Sequence, residues 1–168
     1  MTTTNINITS SAAILVALSF RVMAHPVNAN APVTCLKSIE INAPLEKVWS
    51  VLTGINEWTN WQTDIKSAHI NGPLTKGETF EWLSGGAKIK STLHTVEPLQ
   101  AIGWTGKGMG IFAIHNWTIE EQNGMVIVRV NESMEGFMAK ILKGYLNKNL
   151  EQGLGRWMAF LKKECEKK

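Results

Sequence analysis

The stretch TFEWLSGGAKIKSTLHTVEPLQAIGWTGKGMGIFAIHNWTIEEQNGMVIVRVNESM, Thr79–Met134, reads as consecutive β-hairpins whose aromatic and aliphatic residues share one face. Turn signals punctuate it at Gly85-Gly86, at Glu97-Pro98-Leu99, in a glycine-rich loop Gly106–Gly110, and at Asn123-Gly124. Counting back from Asn123-Gly124 as a two-residue turn places Ile119 opposite Val128, Trp117 opposite Val130 and His115 opposite Glu132. Period-2 alternation carries that face through Phe80, Trp82, Ile89, Ser91, Leu93, Ile102, Trp104, Ala113, His115, Trp117, Val126 and Val128. The opposite face, with Glu81, Lys88, Lys90, Thr92, His94, Thr105, Asn116, Thr118, Glu120 and Arg129, is expected to meet water. Ser91, His115 and Glu132 are the polar side chains on the oily face. An apolar wall with a few polar groups is the composition of a small-molecule pocket.

Before the hairpins, Leu36–Ile41 alternates as a strand and Asn42-Ala43-Pro44 opens a helix, with Pro44 in the first turn and Glu46 near its positive end. Leu45, Val48, Trp49 and Leu52 form its apolar stripe, and Gly54 ends it. A second short helix, Glu57–Trp61, carries Trp58 and Trp61, and Ile65–Ile70 is a further strand. After Glu132 the period changes to 3.6, and one long helix is expected from Gly136 to Lys163. Its inner stripe is Ala139, Leu142, Leu146, Leu150, Gly153, Trp157 and Leu161. Phe137 and Ile141 fall on the other side, either capping a cavity entrance, touching a partner, or packing under the Gly106–Gly110 loop. An antiparallel sheet with one oily face needs a cover, and only the last helix is long enough. The expected fold is therefore α+β: a curved antiparallel sheet of about seven strands around one C-terminal helix, enclosing a hydrophobic cavity.

The length suits one domain from residue 33 to 168. Residues 1–32 are expected to be a disordered leader or a signal segment. Ala12–Phe20 is too short to span a bilayer, no Lys or Arg precedes it, and Pro32 follows the cleavage-like Ala29-Asn30-Ala31. A cytoplasmic location is expected, with export as the alternative, and removing Met1–Ala31 is expected to leave stability unchanged. From Ser133 onward there are eight Lys/Arg against four Asp/Glu, and nine against ten elsewhere. No basic run interleaves with aromatics, so nucleic acid is not an expected partner. The lysines form a solvated helix face, or attract weakly to an acidic surface. Weak self-association is the remaining partner expectation. Cys35 and Cys165 stand apart, outside any zinc spacing, as two free thiols or one disulfide. The four histidines are scattered, and neither metal nor cofactor is expected.

The chain resembles the START-like (SRPBCC) superfamily, the helix-grip fold, and most closely its small bacterial polyketide cyclase/dehydrase-like members. The resemblance rests on Ile39-Glu40-Ile41-Asn42-Ala43-Pro44-Leu45-Glu46-Lys47-Val48-Trp49, on the short helix ending in Trp61 with Asp64 beyond it, on Gly72-Pro73-Leu74 with Gly77, and on Ser133-Met134-Glu135-Gly136. It covers about Val33 to Lys167. It implies a deep cavity for lipids, polyketides or similar oily molecules, with Trp61 packing at the mouth. Relatives include cyclases, lipid carriers and co-chaperone modules, without a universal catalytic triad.

Three functions are open. The first is binding of an apolar small molecule, with Trp61, Phe80, Trp82, Ser91, Leu93, Ile102, Trp104, His115, Trp117, Glu132, Leu142 and Leu146 lining the site. The second is proton-transfer chemistry of the cyclase or dehydratase kind in the same place, with His115 and Glu132 as candidate acid and base. The third is a co-chaperone-like protein-binding module. An inward Glu among aromatics is costly unless paired, and a facing imidazole relieves that cost. The pair therefore fits simple mutual satisfaction, ligand orientation or catalysis.

Overall fold

A computed structural model describes residues 25–168, so the Ala12–Phe20 run and Arg21 lie outside the described residues. Strand β1 (Val33–Ile41) leads through Pro44 into helix α1 (Leu45–Thr53), which Gly54 ends by donating to the Ser50 carbonyl. A single 3-10 turn then opens helix α2 (Trp58–Trp61). Strands β2 (Ile65–Ile70), β3 (Thr79–Ser84), β4 (Ala87–Glu97), β5 (Ala101–Gly108), β6 (Ile111–Gln122) and β7 (Met125–Glu135) follow, then helices α3 (Phe137–Ile141) and α4 (Lys143–Cys165). The seven strands form one antiparallel sheet in the order β1-β7-β6-β5-β4-β3-β2. This is the α+β helix-grip arrangement expected from the hairpin pattern.

Three tight turns hold the register. Gly85-Gly86, Met109-Gly110 and Asn123-Gly124 all take positive φ at both central positions, the twist that suits a two-residue hairpin. The Asn123-Gly124 turn sets Ile119 against Val128, Trp117 against Val130 and His115 against Glu132, as its spacing predicts. The Met109-Gly110 turn is shorter than the expected Gly106–Gly110 loop, because Gly106 and Gly108 belong to β5. A side chain at Gly106 would press within 3.3 Å of Ile89 and Ser91 on β4, so this glycine serves close strand packing.

The C-terminal helix is two segments, not one. The chain leaves helical geometry at Leu142, with φ −97° and ψ 20°, and resumes as α4. The inward stripe of α4 is consequently Leu150, Leu154, Trp157, Met158, Leu161 and Cys165. Leu142 stands at the surface, Leu146 is half-buried, and Gly153 is off the stripe, so the expected phase holds at Ala139, Leu150, Trp157 and Leu161 but fails at Leu142 and Gly153. Phe137 and Ile141 do not pack under the β5–β6 turn. Met138 does, with its Cγ 3.3 Å from where a Gly110 side chain would stand.

The outer face of the sheet is not wholly wet. His94, Thr95, Ile114, Asn116 and Ser133 are buried there, beneath or beside the segment 25–32. Asn116 Nδ2 donates to the His25 carbonyl at 2.9 Å, Asn28 N–H donates to Ser133 Oγ at 3.1 Å, and Asn147 Nδ2 donates to the Pro32 carbonyl at 3.1 Å. A side chain at Gly103 would come within 2.5 Å of both His94 and Asn116, so glycine lets those two close over β5. Residues 25–31 of the stretch expected to be removable thus make contacts to the sheet.

Burial, with the His25 ring 4.8 Å away and Lys76 adding positive charge, pushes the His94 imidazole down to about 4. An unfolded chain protonates the same group near pH 6.5. The unfolded state therefore binds more protons between those values, and stability falls as pH drops from 6.5 towards 4, then levels. Denaturant unfolding at neutral and acidic pH should show a loss of roughly 2 to 3 kcal/mol from this group. His94→Leu should remove most of that slope; an unchanged slope would assign it to other groups.

Candidate functional site

The concave face is floored by aromatic rings. Trp58 of α2 sits at its centre, with ring centroids 5.7 Å from Phe80, 6.0 Å from Trp82, 5.8 Å from Trp104 and 5.2 Å from Trp157. Edge-on contacts dominate, the arrangement that ring quadrupoles favour. Trp58 Nε1 donates to the Leu52 carbonyl at 2.9 Å, which ties α2 to the end of α1. Trp82 Nε1 donates to Ser91 Oγ at 3.0 Å, so Ser91 satisfies a buried indole as well as being small. Phe80, Leu93, Ile102, Trp104 and Trp117 are fully buried, and Trp61 and Trp82 nearly so. Much of the space expected to be cavity is thus occupied by side chains. Two open surface depressions lie outside it. One, of about 260 Å³, lies along Ser67–His69 and Glu81–Leu83, and another, of about 440 Å³, lies between Asn28–Pro32 and Glu135–Lys140.

Across the middle of the sheet runs one rung, Leu93, Trp104, His115, Glu132 and Cys35, on β4, β5, β6, β7 and β1. His115 stacks on Trp104 at 4.5 Å with planes 10° apart. Its Nδ1 lies 2.5 Å from Glu132 Oε2, both side chains being about 5 % exposed. A carboxylate accepts, so Nδ1 carries the proton of this contact and Nε2 is the nitrogen left free. His115 Nε2, Trp117 Nε1 and Trp157 Nε1 are all buried without a hydrogen-bond partner. Their three rings form a near-equilateral triangle, with centroids 5.5, 6.0 and 5.8 Å apart. Native interiors leave few such groups unpaired.

The next rung towards α3 is built from small side chains: Ser91, Gly106 and Ala113, flanked by Met134. Ala139 of α3 is fully buried, Leu146 is half-buried and Leu142 is exposed. Leu142, expected to line the site, does not. Trp58 was not among the expected lining residues, although its spacing from Trp61 in a short helix was the available signal.

The cysteines are free thiols, and burial raises both, Cys165 to about 11, so neither is poised as a thiolate. Among the described residues, no three His, Cys, Asp or Glu side chains gather as a metal site. No described helix is long and apolar enough to cross a membrane.

The sheet that grips a C-terminal helix, with an aromatic concave face, defines a START-like fold. Residues 33–160 match the family described as polyketide cyclase/dehydrase and lipid transport, and the chain belongs to that family. A hypothetical protein from Helicobacter pylori superposes with a TM-score of 0.74 at 17% identity, covering 99% of each chain. A START superfamily protein from Mycobacterium smegmatis gives 0.63 at 16% identity, over 79% of this chain and 97% of the other. A putative protein in the dynemicin biosynthetic locus gives 0.58 at 18% identity, over 76% and 46% respectively. At these identities the likeness is one of fold. No curated protein matches the chain in sequence.

Proposed function

We propose that the chain binds an apolar, flat small molecule bearing a hydroxyl or carbonyl oxygen, between the small-residue rung and the C-terminal helices. The observation that carries this reading is the buried triangle of the His115, Trp117 and Trp157 rings, each with an unpartnered nitrogen, beside a lane of small side chains. A hydroxyl donates to a bare His115 Nε2 and accepts from an indole N–H, while a carbonyl accepts from the indoles. The aromatic floor supplies apolar contact, and Glu132 fixes the imidazole's tautomer and orientation. Family membership fits oily or polyketide-like ligands.

Filling the lane should abolish binding. An apolar fluorescent probe should quench tryptophan emission at about one-to-one stoichiometry. Ala113→Trp, at a half-buried position on the lane, should lose this response while keeping its cooperative melt. Unchanged probe affinity in a folded Ala113→Trp variant would place the site elsewhere.

The His115–Glu132 contact favours a second reading, proton transfer on such a ligand. With Nδ1 held by a carboxylate, Nε2 is the basic atom that faces a bound hydroxyl or an acidic carbon. Glu132→Gln separates the two readings. A binder should show modestly altered affinity and leave its ligand intact, whereas a cyclase or dehydratase should lose turnover by roughly a hundredfold or more.

A further inference from the structure

The edge of the molecule formed by α3 and the first turns of α4 exposes apolar side chains that the interior does not use. Phe137 is 73% exposed, Ile141 59% and Tyr145 66%. They stand at successive four-residue steps, and the break at Leu142 keeps them on the outside while Ala139 and Leu150 turn inward. Met109, 74% exposed on the neighbouring β5–β6 turn, extends the same edge, since Gly110 packs against Met138. Scattered exposed apolar residues need no explanation, but a contiguous set on one edge marks an interaction surface.

The charge around this set is mainly positive. Between Gly136 and Leu150 there is no Asp or Glu, while Lys140, Lys143 and Lys148 are exposed and sit in no ion pair among the described residues. Of the bordering acids, Glu151 lies 3.5 Å from Lys37, and Glu135, half-buried at the end of β7, is the single carboxylate beside Phe137 and Lys140. Apolar and aromatic tips ringed by lysines are complementary to an anionic bilayer, whose headgroups attract the ammonium groups while Phe and Ile enter the acyl boundary and Tyr stays at headgroup level. We propose that this edge docks on an anionic lipid surface. The proposal concerns the exterior and stands independently of the interior site.

Vesicle flotation of the full chain tests it. Binding should be strong to an equimolar mixture of phosphatidylcholine and phosphatidylglycerol, weak to phosphatidylcholine alone, and reduced by salt. Each lysine near the surface is worth about fivefold in affinity, so Lys140→Gln with Lys143→Gln should weaken binding by roughly 25-fold. Phe137→Ser with Ile141→Ser should also release the protein from vesicles. All four positions are exposed, so thermal midpoints should stay near the parent's and confirm that the variants fold. Absence of binding to the anionic vesicles would overturn the proposal. So would binding that survives in both double variants, because the contact would then lie elsewhere in the chain. A dimer in solution that Phe137→Ser dissociates, without vesicle binding, would give the surface to a second copy and equally overturn it.

Discussion

Trp58→Ala should destabilise the protein by about 3 to 5 kcal/mol, the range for truncating a large aromatic at the centre of a core. The ring contacts four other aromatics, and its indole N–H is the partner of the Leu52 carbonyl. Truncation therefore removes packing and strands a buried acceptor at once. For a chain of this size the thermal midpoint should fall by roughly 10 to 15 °C. Trp58→Phe, which keeps most of the ring contact but loses the donor, should cost appreciably less. If Trp58→Ala costs under about 1 kcal/mol, the neighbouring rings collapse into the gap and Trp58 is not the hub of this core.

Glu132→Ala should be of similar severity. It leaves His115 in an aromatic interior with neither nitrogen paired, and removing one member of a buried pair costs about 3 to 5 kcal/mol. Glu132→Gln retains an oxygen that accepts from Nδ1–H and should cost about 1 to 2 kcal/mol. His115→Phe alone strands the carboxylate and should be as harmful as Glu132→Ala. Combined with Glu132→Leu it removes both polar groups at nearly constant volume, and the double variant should recover most of the lost stability. Denaturant unfolding of the four variants checks the series. Additive losses in the double variant would show that the two side chains do not interact.

The register of the last hairpin was legible because Asn123-Gly124 is a two-residue turn, and two residues leave no slack in which residue faces which. From that one turn the His115–Glu132 pair follows by counting. Trp58 was harder to place, since a four-residue helix has no period with which to orient a side chain. The C-terminal stripe went astray near Leu142 because the apolar spacing continues across the break, while the backbone there does not. Gly106 and Gly108 read as loop because glycine usually signals one, but here the missing side chains make room for Ile89 and Ser91 on the neighbouring strand. His94 and Asn116 alternate correctly to the outer face. Their burial comes from the segment 25–32, whose backbone hydrogen bonds to side chains leave no periodic trace. For His94 and Asn116, local pattern gave the direction of the side chain, and what covered it depended on a distant part of the chain.

The family places this fold among proteins of lipid and polyketide chemistry, and the interior adds a chemical restriction to that breadth. On the proposed reading, the unpartnered His115, Trp117 and Trp157 nitrogens favour one oxygen on an otherwise apolar guest over a wholly saturated chain. Calorimetric titration with 2-naphthol and with naphthalene measures that preference most directly. The parent protein should bind 2-naphthol about tenfold more tightly, the scale of one well-made buried hydrogen bond. The double variant His115→Phe, Glu132→Leu should lose most of that preference, keeping only what the Trp117 and Trp157 N–H groups supply. A parent protein that does not distinguish them, or a preference that persists undiminished in the double variant, would contradict the assignment of the polar anchor to His115.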